Sequence, residues 1–154
     1  MKKPVLYFLV LCLTGVSMQC KKKGCTDPVS INYDSDADVD DGTCEYGGIG
    51  GYTTIVALPE HHGNPIVGQV DYVDSAFIKF NTQDSPGSNP ANYDWVYAGE
   101  EGEDHVHIEG MKPGKYYIYM TGFDSIFGER VFGGVPVIIT QTSGEVDVVV
   151  PVSE

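Results

Sequence analysis

The stretch His105-Val106-His107-Ile108-Glu109-Gly110-Met111-Lys112-Pro113-Gly114-Lys115-Tyr116-Tyr117-Ile118-Tyr119-Met120-Thr121 decides the fold. Its first five residues alternate, so Val106 and Ile108 face one side and both histidines the other. Met111 to Gly114 reads as a turn, because Pro fixes one φ and Gly frees the next. Lys115 to Thr121 alternates again, with Tyr116, Ile118 and Met120 on one face and Tyr117, Tyr119 and Thr121 on the other. A period of two on both sides of a turn is the mark of half-buried strands, not of a helix.

The same reading extends outward. Thr53 to Leu58 is apolar on both faces and predicts a central strand. His61 to Pro65 predicts a turn. Ala76, Ile78 and Phe80 alternate with Phe77, Lys79 and Asn81. Asp84 to Asn92 predicts a long turn-rich loop, Tyr93 to Tyr97 an edge strand carrying Trp95, and Gly99 to Asp104 an acidic turn. Val135 to Thr140 predicts a further strand, and Val146, Val148, Val150 and Val152 close the pattern at period two. No helical period competes from Tyr52 onward. Short strands at turn-rich intervals predict an all-β, antiparallel β-sandwich over residues 52–154.

Residues 1–19 read as a signal peptide. Lys2 and Lys3 form a basic start, and Val5 to Leu13 is an apolar run too short to span a bilayer. Thr14 to Gln19 follows, and then Cys20. The order resembles a bacterial lipoprotein signal, in which Cys20 would carry lipid and residues 20–23 would form the tether. Ser17 and Gln19 depart from the usual lipobox residues, and plain secretion with cleavage near Ser17 is the alternative. Cys12 is lost with the signal, which leaves Cys25 and Cys44 as a pair expected to form a disulfide outside the cytosol.

Gly24 to Tyr46 carries Asp27, Asp34, Asp36, Asp38, Asp40, Asp41 and Glu45 and no base. It is too polar to bury a core and needs a bridge or a cation to take shape. Asp34, Asp36, Asp38 and Glu45 match positions one, three, five and twelve of an EF-hand loop, but Val39 stands where that loop needs Gly. Pro28 and Gly47-Gly48 deny the flanking helices. The EF-hand is rejected and its chemistry kept: Asp34, Asp36, Asp38, Asp40, Asp41 and Glu45 are candidate Ca²⁺ ligands. The alternative is a solvated acidic loop shaped by its disulfide alone. Gly47 to Gly51 reads as a linker.

Two further resemblances bear on these segments. Cys25-Thr26-Asp27-Pro28, Asn32-Tyr33, Ala37, Asp40-Asp41-Gly42-Thr43-Cys44 and Tyr46 resemble a short Cys-framed module of Gram-negative envelope and secreted proteins. That likeness implies a surface-associated module over residues 24–46. Gly63-Asn64-Pro65-Ile66-Val67-Gly68 and Met111-Lys112-Pro113-Gly114-Lys115-Tyr116 resemble the prealbumin-like sandwiches, the carboxypeptidase-regulatory-like and Cna B-type domains. Met111 replaces their Leu and Gln69 their Ala. These motifs are structural, so no activity travels with them.

A net charge of -13, from 9 basic and 22 acidic residues, argues against a nucleic-acid partner. No Gly-rich phosphate loop, nucleophile elbow or free thiol is evident, and the expectation is that the protein is not an enzyme. The histidines fall into two pairs, His61-His62 and His105/His107. If the fold brought the pairs together they could hold Zn²⁺ or Cu²⁺; otherwise they are exposed histidines beside acids such as Asp104 and Glu109. The leading expectation is a non-enzymatic lipoprotein of the cell envelope, anchored in the outer membrane on its periplasmic or surface face, or else secreted. It would serve as an interaction, adhesion or ligand-binding module for a protein or glycan. A metal-binding envelope protein using the four histidines is the alternative.

Overall fold

The computed structural model describes residues 21–154. The segment expected to be a signal peptide, residues 1–19, and Cys20 lie outside the described residues. Among the described residues ten strands account for the regular structure, with one 3₁₀ turn at Pro90–Asn92. They are β1 (Lys23–Gly24), β2 (Val39–Asp40), β3 (Ile49–His61), β4 (Asn64–Pro65), β5 (Ser75–Phe80), β6 (Trp95–Ala98), β7 (Val106–Met111), β8 (Gly114–Asp124), β9 (Glu129–Ile139) and β10 (Ser143–Pro151).

Two four-stranded sheets form the sandwich. One is built on β3, flanked by β10 on one side and by β7 and the short β4 on the other. The other runs β6-β5-β8-β9. Alternation decides which residues meet between them. Ile55 and Ala57 of β3 with Val106, Ile108 and Met111 of β7 face Ala76 and Ile78 of β5 and Tyr116, Ile118 and Met120 of β8. Val131, Val137, Ile139, Val150 and Val152 complete the core. The inward pair predicted for β7 is therefore the observed one, the inner of the two faces predicted for β8 is that of Tyr116, Ile118 and Met120, and β6 is the edge strand.

One pairing departs from the antiparallel expectation. β10 runs parallel to β3 from Ser143↔Tyr52 to Pro151↔Glu60. Side-chain alternation reports faces and not strand direction, so the sequence pattern is the same either way.

The Lys112-Pro113 turn is tied down by the residue that follows it. Tyr116 is fully buried, and its hydroxyl donates to the Lys112 carbonyl at 2.6 Å while accepting from the Gly48 N–H at 2.9 Å. Burial pushes the phenol above its ordinary value. The same ring takes up the glycine run expected as a linker. A Cβ on Gly47 would collide with the Tyr116 hydroxyl, so only glycine lets the backbone pass there. Ile49 to Gly51 already belong to β3.

Cys25 and Cys44 are disulfide-bonded, with Cα atoms 4.8 Å apart. The bridged segment leans on the sandwich through Asp27. Its Oδ2 accepts from the Tyr46 hydroxyl at 2.9 Å and from Lys115 Nζ at 3.3 Å. The Val29 N–H, then Tyr46 and Lys115, hold the Asp27 carboxyl below its usual range.

Candidate functional site

The acidic loop does not gather its carboxylates around one point. Asp40 and Asp41 turn back on their own backbone: Asp40 Oδ1 accepts from the Gly42 N–H, and Asp41 Oδ1 from the N–H and hydroxyl of Thr43. These are Asx turns, the usual local use of Asp in a loop. Asp34 and Asp36 converge on a cation that the chain itself supplies. Lys22 Nζ lies 2.8 Å from Asp34 Oδ2 and 3.7 Å from Asp36 Oδ2, while the Lys22 N–H reaches Asp38 Oδ2 at 3.2 Å. The Lys22 hydrogen bond is the main reason Asp34 ionises below its usual range. Glu45 contributes its backbone N–H to Asn32 Oδ1.

The histidine pairs are kept apart by the sheet itself. β3 pairs β7 antiparallel with Ala57↔Val106, so His105 falls opposite Leu58, three positions from His61 and roughly 10 Å along the strand. They also differ in face. His61 shares the inward parity of Ile55 and Ala57, whereas His105 and His107 share the outward parity of Glu109. A single four-histidine centre is therefore not formed. The reason is a matter of register and pleat, and neither is legible in a lone sequence.

Each pair instead meets its own acids. The His105 and His107 rings lie tilted against each other with centroids 4.7 Å apart, and His105 Nδ1 lies 2.9 Å from Asp104 Oδ1. They line a polar pocket with Glu100, Glu103 and Glu109. Glu103, Asp104 and His105 place ligand atoms within 4.8 Å of one another.

His61 is 2 % exposed, and its Nδ1 lies 2.8 Å from Asp124 Oδ2. Asp124 is buried as well, and its Oδ1 accepts from the N–H groups of Ile126 and Phe127. That geometry assigns the tautomer: a carboxylate only accepts, so Nδ1 carries the proton. The Asp124 hydrogen bond raises the His61 pKa, and the His61 hydrogen bond leads the causes that lower that of Asp124. His61 Nε2 points to Glu154 Oε2 at 3.5 Å. His61, His62 and Glu154 form the second group of ligand atoms within 4.8 Å of one another. Glu154 and Asp124, the partners that complete this cluster, carry no sequence signal. They come from β8 and from the segment after β10.

A third feature is aromatic. On the outward face of the β6-β5-β8-β9 sheet, Phe77, Tyr119 and Phe132 form a row, with centroids 6.2 Å and 6.4 Å apart between neighbours. Tyr93, from the loop before β6, stacks on Tyr119 at 5.6 Å. Burial, then the charges of Tyr117 and Tyr119, push the Tyr93 phenol up to about 12. The loop that delivers Tyr93 is rigidly held. The Tyr93 hydroxyl donates to the Gly87 carbonyl at 2.8 Å, and Asp94 joins Lys79 Nζ and the Phe80 N–H, each at 2.8 Å. Phe77, Pro90, Ala91, Tyr93, Trp95 and Val96 line a shallow groove of about 570 Å³. Trp95 and Val96 are about half exposed.

No protein family, curated protein or solved structure matches the chain. Among the described residues no helix is long and apolar enough to cross a membrane.

Proposed function

We propose that the protein is a non-enzymatic interaction module of the bacterial cell envelope, exported by residues 1–19 and lipid-anchored through Cys20, that binds a neutral glycan on its aromatic sheet face. The observation that carries this reading is the groove at Phe77, Tyr93 and Val96, on the sheet face that also bears the partly exposed Phe132. Aromatic faces carry negative π density and attract the polarised C–H faces of a sugar ring. Rings held by a pinned loop lose little entropy when a ligand settles on them. A net charge of -13 repels acidic polymers and leaves neutral glycans or proteins as partners.

The tie of Lys112 to Tyr116 and the turn before it support the prealbumin-like reading of the sandwich. The Cys25–Cys44 bridge accords with an oxidising surrounding. Two measurements test the reading. Labelled palmitate incorporated by the parent and lost in Cys20→Ser supports the anchor, and equal labelling removes it. Retention on neutral polysaccharide matrices in affinity electrophoresis, weakened by Phe132→Ala, supports the glycan. A parent that migrates unretarded on every matrix rejects it.

A further inference from the structure

The turn between β3 and β4 has a backbone that asks for one residue type and a sequence that supplies another. His61 pairs with Asn64, so the loop is His62-Gly63, and both residues have positive φ, 51° and 75°. Two positive values in a two-residue hairpin make a type I′ turn, whose first position is ordinarily Asn, Asp or Gly. A residue other than glycine at positive φ is uncommon, and here the conformation decides where the His62 ring lies.

The conformation has a geometric result. Successive side chains of a strand point to opposite faces. Left-handed backbone at His62 breaks that alternation and lays its ring 4.1 Å from the ring of His61. Phe127 packs against both rings, at 5.7 Å and 5.4 Å, and limits their rotation. The third member arrives by separate anchoring. The Val152 N–H donates to the Glu60 carbonyl, and Ser153 exchanges two hydrogen bonds with Phe132. Glu154 is thereby carried over His61.

We propose that His61 Nε2, His62 and Glu154 bind one Zn²⁺, with Asp124 as the carboxylate that fixes the His61 ring from behind. Ligands about 2.1 Å from a tetrahedral ion stand about 3.4 Å from each other. The 3.5 Å between His61 Nε2 and Glu154 Oε2 meets that spacing, and it is long for a hydrogen bond. With Nδ1–H committed to Asp124, the free lone pair is on Nε2, the atom that faces the site. A carboxylate behind a ligating imidazole is the usual outer partner of a zinc histidine. Two imidazoles and one carboxylate suit Zn²⁺ and not Ca²⁺, which wants six or more oxygens. Three protein ligands leave the fourth position to water or to a donor from a partner.

The decisive experiment titrates Zn²⁺ into the full exported chain, with its disulfide formed, by isothermal calorimetry. His62→Asn installs a residue the type I′ turn favours and removes one ligand. Glu154→Gln weakens a second at an exposed side chain. The expected result is one Zn²⁺ per parent chain, with each variant at least about tenfold weaker and unchanged in far-ultraviolet circular dichroism. His105→Ala with His107→Ala should leave the affinity as it was. A parent that binds no Zn²⁺ at micromolar concentration overturns the proposal. So does equal affinity in Glu154→Gln and parent, or binding that disappears with the His105 and His107 substitutions. None of these outcomes bears on the glycan face, which lies on other residues.

Discussion

Lys22 supplies the cation of the acidic loop, with its ammonium 2.8 Å from Asp34 Oδ2. Calcium taken up by Asp34 and Asp36 would have to displace it. Lys22→Ala is expected to lower the Ca²⁺ concentration at half-saturation a few-fold, because an exposed ion pair of this kind is weak. Amide chemical shifts of residues 34–45 report the titration. Identical midpoints in parent and variant would show that Lys22 does not compete.

The disulfide carries most of the order of its segment, which has almost no buried side chains besides Cys25 and Ser30. Replacing both cysteines by Ser removes a constraint worth about 3 kcal/mol in the chain-entropy account. Hydrogen exchange of residues 25–44 should quicken roughly a hundredfold. Amides of β8 should keep their protection, since the core there owes nothing to the bridge. Loss of protection in both regions would mean that the segment and the sandwich fold as one unit.

Asp74 is buried, its Oδ1 has no hydrogen-bond partner, and burial alone pushes its pKa from 3.8 to about 6. Below about pH 4 the folded and unfolded chains both hold the proton, and the residue costs nothing. As pH rises from 4 to 6 the unfolded chain gives up its proton first, so stability falls. Above 6 the cost levels off at roughly 3 kcal/mol. Asp74→Asn should therefore stabilise the protein at pH 7, by about 1–3 kcal/mol, and hardly at all at pH 4. Urea unfolding at the two pH values measures the difference. An equal effect at both would mean that the Asp74 carboxyl keeps its ordinary pKa.

Gly133 of β9 lies under the last segment of the chain. A Cβ there would strike the Pro151 carbonyl and come within 2.9 Å of Val152 Cα, both of them backbone atoms that cannot swing aside. Gly133→Ala should cost about 1–3 kcal/mol in urea unfolding. The Phe132 and Ser153 amides, which pair across this contact, should lose protection first. An unchanged midpoint would mean that residues 151–154 are free to shift.

Those outcomes depend on features of unequal visibility in the sequence. The inward set of β7 is legible because Val106 and Ile108 alternate with His105, His107 and Glu109, whereas in β8 tyrosines stand on both faces and only the two faces, not the inner one, can be read. The start of β9 is not legible, since Phe132-Gly133-Gly134 breaks the alternation while the strand continues. Gly47 to Gly51 looked like a linker because composition does not reveal that a ring, Tyr116, needs the missing side chains. The histidines were visible as pairs, yet the acids that complete each cluster come from other strands. The left-handed backbone at His62 had one signal, a Gly following it in a turn where Asn-Gly would be ordinary.

The parallel ladder between β3 and β10 has a mechanical consequence. Its nine registered pairs run from Tyr52 to Glu60 and from Ser143 to Pro151. In a parallel pair the start of one strand and the end of the other lie at opposite extremes. A pull applied at Ile49 and at Pro151 therefore loads every rung together, in shear, instead of peeling them one by one. Under a stretching force the clamp fails late and all at once. Pulling β6 away from β5 would unzip an antiparallel edge at far lower load.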